Sequence, residues 1–181
     1  PDGSLISILS KDLENYKIKV ENIDGEWIVP IRYVEEIRAE SFPRVVVVDR
    51  KNQNIATLEK VGEVWKVRSM NPASTGLDRP PYQLPTPLGV FVVQGKKSKM
   101  EYLKDGSPTE IDGYAPYASR FSGGGYIHGV PVNLPGTEMI EYIPTLGTTP
   151  RSHMCVRNAT SHAKYVYEWA QTNKGLVIVI E

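Results

Sequence analysis

A single cysteine, Cys155, supplies all the thiol chemistry of this 181-residue chain. An internal disulfide is therefore excluded, and a free thiol kept outside a cell is a candidate for reactivity. Neither sign of charge is in excess, because Lys and Arg total 21 and Asp and Glu total 21. No basic face for nucleic acid is implied, and basic residues do not interleave with aromatics as in single-strand binders. No uninterrupted apolar run approaches the roughly 18 residues of a membrane-crossing helix, so no membrane contact is expected from this segment. Three histidines without His-x3-His spacing argue against a zinc site, and no metal or cofactor is expected. Gly123-Gly124-Gly125 lacks the Lys-Ser/Thr of a phosphate loop and reads as a flexible lead into the following strand. The chain opens at Pro1-Asp2-Gly3 with neither methionine nor signal peptide, and reads as an excised fragment.

What is present is mostly strand. Val45–Val48, Ile55–Leu58, Val64–Val67, Val90–Val93, Tyr126–His128 and Leu176–Ile180 are rich in β-branched or aromatic residues. Fourteen prolines and fifteen glycines punctuate them, which predicts long loops. One helix is predicted over Ala159–Thr172, where Ala159, Ala163, Val166, Tyr167 and Ala170 form an apolar stripe. Asn158 or Thr160 is its candidate cap, and Asn173-Lys174-Gly175 its stop. The fold class is thus mainly β: a β-sandwich-like domain of mixed sheets with one substantial helix. Residues 1–43 differ, with strands at Tyr16–Val20 and Trp27–Ile31 and a short helix predicted over Tyr33–Glu40. They read as an appendage, or the end of a preceding module, before a domain over 44–181.

The surroundings of Cys155 decide what the thiol is for. An ordinary cysteine is only a few per cent ionised near neutral pH, so a nucleophile needs an imidazole, a helix N-terminus or another positive field. Ser152, His153 and Arg157 are polar where a structural cysteine would have apolar flanks. The predicted helix begins just after it, where the helix dipole favours an anion by at most about 1 kcal/mol. His128 lies 27 residues upstream at the end of a predicted strand, able to meet the thiol after folding. His162 falls on the helix and reads as a partly exposed structural residue.

Ser152-His153-Met154-Cys155-Val156-Arg157 resembles the catalytic signature of the L,D-transpeptidase (YkuD) family, which runs Ser/Thr-His-Gly-Cys, an apolar residue, then Asn or Arg. Ile127-His128-Gly129 is similar to that family's histidine segment. Ser74-Thr75-Gly76, followed by Thr86-Pro87-Leu88-Gly89-Val90-Phe91, matches two further elements in the family's order. The resemblance implies acyl transfer between peptidoglycan stem peptides at an extracytoplasmic, cell-wall location. Cys155 would attack the carbonyl between the diamino acid at position three and D-Ala at position four, and an amine of a second stem would take the thioester. His128 would be the base, oriented by the Gly129 carbonyl, with His153 in support. The backbone N–H groups of Met154 and Cys155 would hold the oxyanion, and Ser152, Arg157 and Tyr126 would bind substrate, with bracing of the turn the equal alternative for Ser152. Carbapenems would acylate the thiol by the same analogy, and no cofactor is implied.

Two departures stand out. Met154 replaces the family's usual glycine, and the interval from His128 to Cys155 is longer than the family's. The extra length, Pro131–Thr149, is expected to form a lid over the thiol. Competing readings are hydrolysis in place of cross-linking, another cysteine transpeptidase such as a sortase, and a wall-binding module inactivated by Met154. The sortase pattern Thr-Leu-x-Thr-Cys is absent.

Overall fold

The computed structural model describes residues 2–37, 42–81, 83–104 and 106–181. The first strands β1 (Ile6–Lys11), β2 (Asn15–Val20) and β3 (Trp27–Pro30) form a small antiparallel sheet in the order β1-β2-β3. In β2 the side chains alternate, with Tyr16 and Ile18 buried and Lys17 and Lys19 exposed, as a half-covered strand requires. A single 3-10 turn spans Ile31–Tyr33, and Val34 is already extended at φ −116°. The helix predicted over Tyr33–Glu40 is therefore not formed as far as Ile37, and its remaining residues lie outside the described ones.

The second sheet carries ten strands. They are β4 (Arg44–Asp49), β5 (Asn54–Val61), β6 (Val64–Ser74), β7 (Gly89–Val92), β8 (Gly95–Leu103), β9 (Ile111–Arg120), β10 (Tyr126–His128), β11 (Val132–Asn133), β12 (Val156–Asn158) and β13 (Gly175–Ile180). Their order is β11-β9-β10-β12-β6-β5-β4-β13-β7, with β8 paired to β9. Pairing is mixed, since β10–β12 and β4–β13 run parallel and the other pairs are antiparallel. Strand β6 joins the two halves: residues 64–72 pair with β5, while Ala73 and Ser74 pair with β12. The sandwich thus arises from one curled sheet, and β6 passes the ladder from one layer to the other.

Between the layers lie Val46, Val48, Ile55, Phe91, Phe121, Ile127, Val156, Val177 and Val179. Phe91 and Phe121 meet edge to face at 5.4 Å. The helix α1 (Thr160–Trp169) buries Ala163 and Val166 against this core. It is shorter than predicted at both ends and has no side-chain cap. The reason is local. Asn158 and Thr160 donate to the carbonyls of His128 and Ile140, and the Glu141 carboxylate accepts from the Ser161 N–H at the first turn.

The first residues seal an edge of the large sheet. Leu5 N–H donates to the Val90 carbonyl at 2.9 Å, and Val92 N–H to the Gly3 carbonyl at 3.1 Å. Strand β7 thereby gains a partner, which removes the aggregation hazard of an open edge.

Candidate active site

The site sits where β10 and β12 run side by side. Ile127 pairs with Val156 and His128 with Arg157, so Cys155, just before β12, comes level with Tyr126. His128, Ser152, His153, Cys155 and Arg157 share one cleft of about 440 Å³ with Met100, Tyr102, Asn133 and Ile143. Five residues proposed from sequence thus converge, although His128 and Cys155 are 27 positions apart, while Tyr126, Gly129 and Met154 do not line the cleft.

His128 is buried, with 3% exposure, and its Nδ1 lies 2.7 Å from the Gly129 carbonyl. A carbonyl only accepts, so Nδ1 carries the proton and Nε2 is left as the basic nitrogen. Burial pushes the imidazole down to about 4. The Gly129 carbonyl works in the opposite sense, and the nearby Arg157 guanidinium adds to the lowering. His128 is therefore neutral at neutral pH.

Cys155 is half-buried, and its thiol reaches the Gly124 carbonyl at 3.5 Å. Burial pushes the thiol up from its ordinary range, against the Tyr126 backbone N–H bonded to the sulfur and the charge of Arg157. The resting pair is thus a neutral thiol and a neutral imidazole. The triple-glycine segment, read from sequence only as a flexible lead-in, supplies the carbonyl that holds the thiol. Strand β12 separates Cys155 from α1, and Glu141 occupies the helix N-terminus. The helix dipole expected to act on the thiol is therefore out of reach, since its effect is confined to the first turn.

The turn Ser152–Cys155 is held from behind. Thr75 O accepts from the N–H groups of Arg151 and Ser152, at 2.9 and 3.1 Å, and Leu77 N–H donates to Ser152 O. Thr86 Oγ1 donates to the Met154 carbonyl at 3.0 Å and accepts from the Gly76 N–H at 2.8 Å. Gly76 has no room for a side chain, because a Cβ would lie 2.5 Å from the Leu84 carbonyl and 2.9 Å from Met154 N. These contacts give the Ser-Thr-Gly and Thr-Pro segments their physical meaning: they clamp the nucleophile turn. Sequence reasoning assigned no role to Thr86 or Leu84, though the Thr-Pro motif was their signal.

Three expectations change. Met154 N–H donates to the Leu84 carbonyl at 2.9 Å, which withdraws it from the expected oxyanion pair and leaves that of Cys155. Ser152 is buried, and its hydroxyl donates to the Cys155 carbonyl, which narrows its two expected roles to bracing the turn. His162 is buried at 7% exposure with both ring nitrogens hydrogen-bonded, not partly exposed, because α1 turns that face toward β6. Arg157 keeps a buried Nε without a protein partner, and the cleft it lines contains no Asp or Glu among the described residues. His153 is exposed at the rim. Tyr126 contributes its backbone to the sulfur, as described. No cluster of three or more His, Cys, Asp or Glu residues that could hold a metal occurs among the described residues.

Met154 takes φ +69°, the left-handed conformation glycine adopts freely. The turn therefore keeps the glycine-type backbone with a side chain added, and the sulfur of Met154 packs beside Gly124. Segment 131–149 forms one wall of the cleft through Pro131, Asn133 and Ile143, while Met139, Ile140 and Tyr142 face solvent. It is tied down at Ile140 and Glu141 to α1, and at Gly147 and Thr149 to Ala73 and Ser74.

The class is a mainly β domain in which a curled mixed sheet with one helix carries a thiol and an oriented imidazole in one cleft. The profile of the L,D-transpeptidase catalytic domain (YkuD) matches residues 43–180, and the chain belongs to that family. None of the curated protein sequences compared with the chain matches it. Among solved structures it is similar to the L,D-transpeptidase LdtMt1 in complex with imipenem, at TM-score 0.60 and 14% identity over 99% of this chain and 78% of that one. L,D-transpeptidase 3 from Mycobacterium tuberculosis, in complex with a faropenem-derived adduct, gives TM-score 0.57 and 19% identity over 99% of this chain and 78% of that one. A fused Zn-dependent amidase/peptidase/peptidoglycan-binding domain-containing protein from Clostridium acetobutylicum gives 0.55 and 21% over 76% of this chain. The match spans about half, 52%, of that Clostridium chain.

Proposed function

We propose that this chain is a peptidoglycan L,D-transpeptidase acting through a Cys155 acyl-enzyme. The observation that carries the reading is the shared cleft, lined by both the thiol and an imidazole whose Nδ1–H is fixed on Gly129 and whose Nε2 is left basic. In the first step Nε2 of His128 takes the thiol proton and sulfur adds to the carbonyl between residues three and four of a tetrapeptide stem. The Cys155 N–H steadies the oxyanion. The C–N bond then breaks, and D-Ala leaves with the proton held by His128. In the second step an amine of a neighbouring stem attacks the thioester, gives its excess proton to His128 and releases the thiol.

Arg157 suits the donor's carboxylate, because a buried guanidinium nitrogen without a partner recovers its hydrogen bond there. On this reading the site works outside the cytoplasm on wall peptides, with residues 1–43 as an appendage to the catalytic part. Carbapenems would acylate the same thiol, a reading supported by the imipenem complex of the similar LdtMt1.

Whole-protein mass spectrometry after incubation with a carbapenem or a tetrapeptide stem tests this directly. A covalent adduct is expected on the wild type and none on Cys155→Ala. His128→Ala should slow acylation by about 10²–10⁴-fold, the usual worth of a positioned general base. Turnover by the Cys155→Ala variant would sink the mechanism. Release of hydrolysed stem without cross-linked product would assign the chain to carboxypeptidase chemistry instead.

A further inference from the structure

Behind the cleft runs a line of buried polar side chains for which the acyl transfer has no direct use. Asn158 Nδ2 donates to the His128 carbonyl at 3.2 Å, and Asn158 Oδ1 lies 3.0 Å from His162 Nδ1. His162 Nε2 lies 2.8 Å from Ser69 Oγ, which in turn lies 2.6 Å from Thr57 Oγ1. Asn158 and Thr57 are fully buried.

The direction of this line is fixed by chemistry. The His128 carbonyl can only accept, so the Asn158 NH₂ must face it and the Asn158 oxygen must face His162. His162 Nδ1 therefore carries a proton. The neutral ring accepts at Nε2 from Ser69, whose oxygen accepts from Thr57. Four hydrogen bonds thus run in one sense from β5, through β6, α1 and β12, to the backbone of β10.

The end of that line is the peptide that shapes the imidazole's surroundings. The 128–129 peptide is held on its carbonyl side by Asn158 and on its N–H side by Pro116 O, at 2.9 Å. The next peptide is held by His128 Nδ1 at the Gly129 carbonyl, and by Thr160 Oγ1 at the Val130 N–H. Gly129 adds no side-chain constraint of its own, and a Cβ there would come within 2.9 Å of Pro116. The orientation of the Gly129 carbonyl, and with it the imidazole, rests on three external anchors: Asn158, the Pro116 carbonyl and Thr160.

We propose that Asn158 and His162 are positioning residues for His128: they fix the 128–129 peptide so that Nε2 faces the thiol. This rests on the reading of His128 as the general base. A displaced base lowers the chemical rate while leaving binding intact, and misplacement by about 1 Å can cost about 10²-fold.

Substitution at His162 separates positioning from packing. An asparagine places its amide nitrogen where Nδ1 stands and keeps the donation to Asn158, whereas a glutamine places it where Nε2 stands and loses that donation. His162→Asn should acylate with a carbapenem at close to the wild-type maximal rate. His162→Gln and His162→Phe should fall by about 10- to 100-fold in maximal rate, with the half-saturating concentration unchanged. The downfield proton signal of His128 Nδ1–H should move in the glutamine variant and stay in place in the asparagine variant. Equal acylation rates and an unmoved imidazole signal in all folded variants would overturn the proposal, as would equal losses in the asparagine and glutamine variants. Absence of any adduct on the wild type would instead strike at the acyl-enzyme reading, and the imidazole signal would still decide the positioning claim.

Discussion

Met154 shows how one residue can depart from a family pattern without disturbing the backbone that pattern encodes. Its φ of +69° costs a side-chain-bearing residue roughly 1–2 kcal/mol, which glycine avoids. Glycine loses part of that advantage through the greater freedom of the unfolded chain. The informative comparison is therefore Met154→Gly against Met154→Ala, which both remove the packing on Gly124 and differ only in the backbone. The glycine variant should be the more stable by about 1 kcal/mol in urea unfolding. Equal stabilities would mean that the turn relaxes out of the left-handed region. Both variants should still form a carbapenem adduct, since the thiol, the imidazole and the Cys155 N–H are untouched.

At the scale of elements, the long interval between β10 and β12 is tied down at several points and walls one side of the cleft. Its anchors lie at Ile140 and Glu141 on α1 and at Gly147 and Thr149 on β6, while Met139 and Tyr142 stay exposed. A wall beside a thioester limits the approach of water and favours transfer to an amine. Shortening the segment between Asn133 and Gly147 should raise the ratio of hydrolysed to cross-linked stem peptide, measured by product analysis, without abolishing carbapenem acylation. An unchanged ratio in a folded variant would reduce the segment to scaffolding.

Across the whole molecule, two buried histidines set the response to acid. Burial lowers His128 and His162 from 6.5 to about 4, and Arg157 adds to the effect at His128. The unfolded chain therefore takes up protons first as pH falls from 6.5 toward 4. Their contribution to stability is complete above about 6.5 and is lost progressively down to about 4, with a slope approaching two protons. The hydrogen-bonded carboxyl of Asp49, which is held below its ordinary range, acts in the same direction at lower pH. Cys155 acts at the other end: its thiol is raised, so the unfolded chain releases that proton first and stability declines in alkali. Urea unfolding across pH 4 to 7 measures the acid limb, and a flat profile would show that the two rings are solvated.

Much of this was written locally in the sequence. Strands such as Val45–Val48 and Tyr126–His128 announced themselves because β-branched and aromatic side chains suit a pleated, buried surface. The His-Gly and Ser-His-x-Cys segments pointed to the cleft's residues through their resemblance to a family's ordered motifs, a signal carried by short local stretches. Strands β8 and β9 were not legible. One is lysine-rich and the other carries Gly113 and Pro116, and their pairing with each other supplies what their propensities lack. Only the tertiary structure decided which hydrogen-bonding groups were already engaged. The Met154 N–H and the His162 Nε2 have partners far away in the chain, at Leu84 and Ser69, while the Ser152 hydroxyl turns back onto the Cys155 carbonyl three residues on. Residue type gives a group's capacity to bond, but its availability depends on what the fold brings within 3 Å of it.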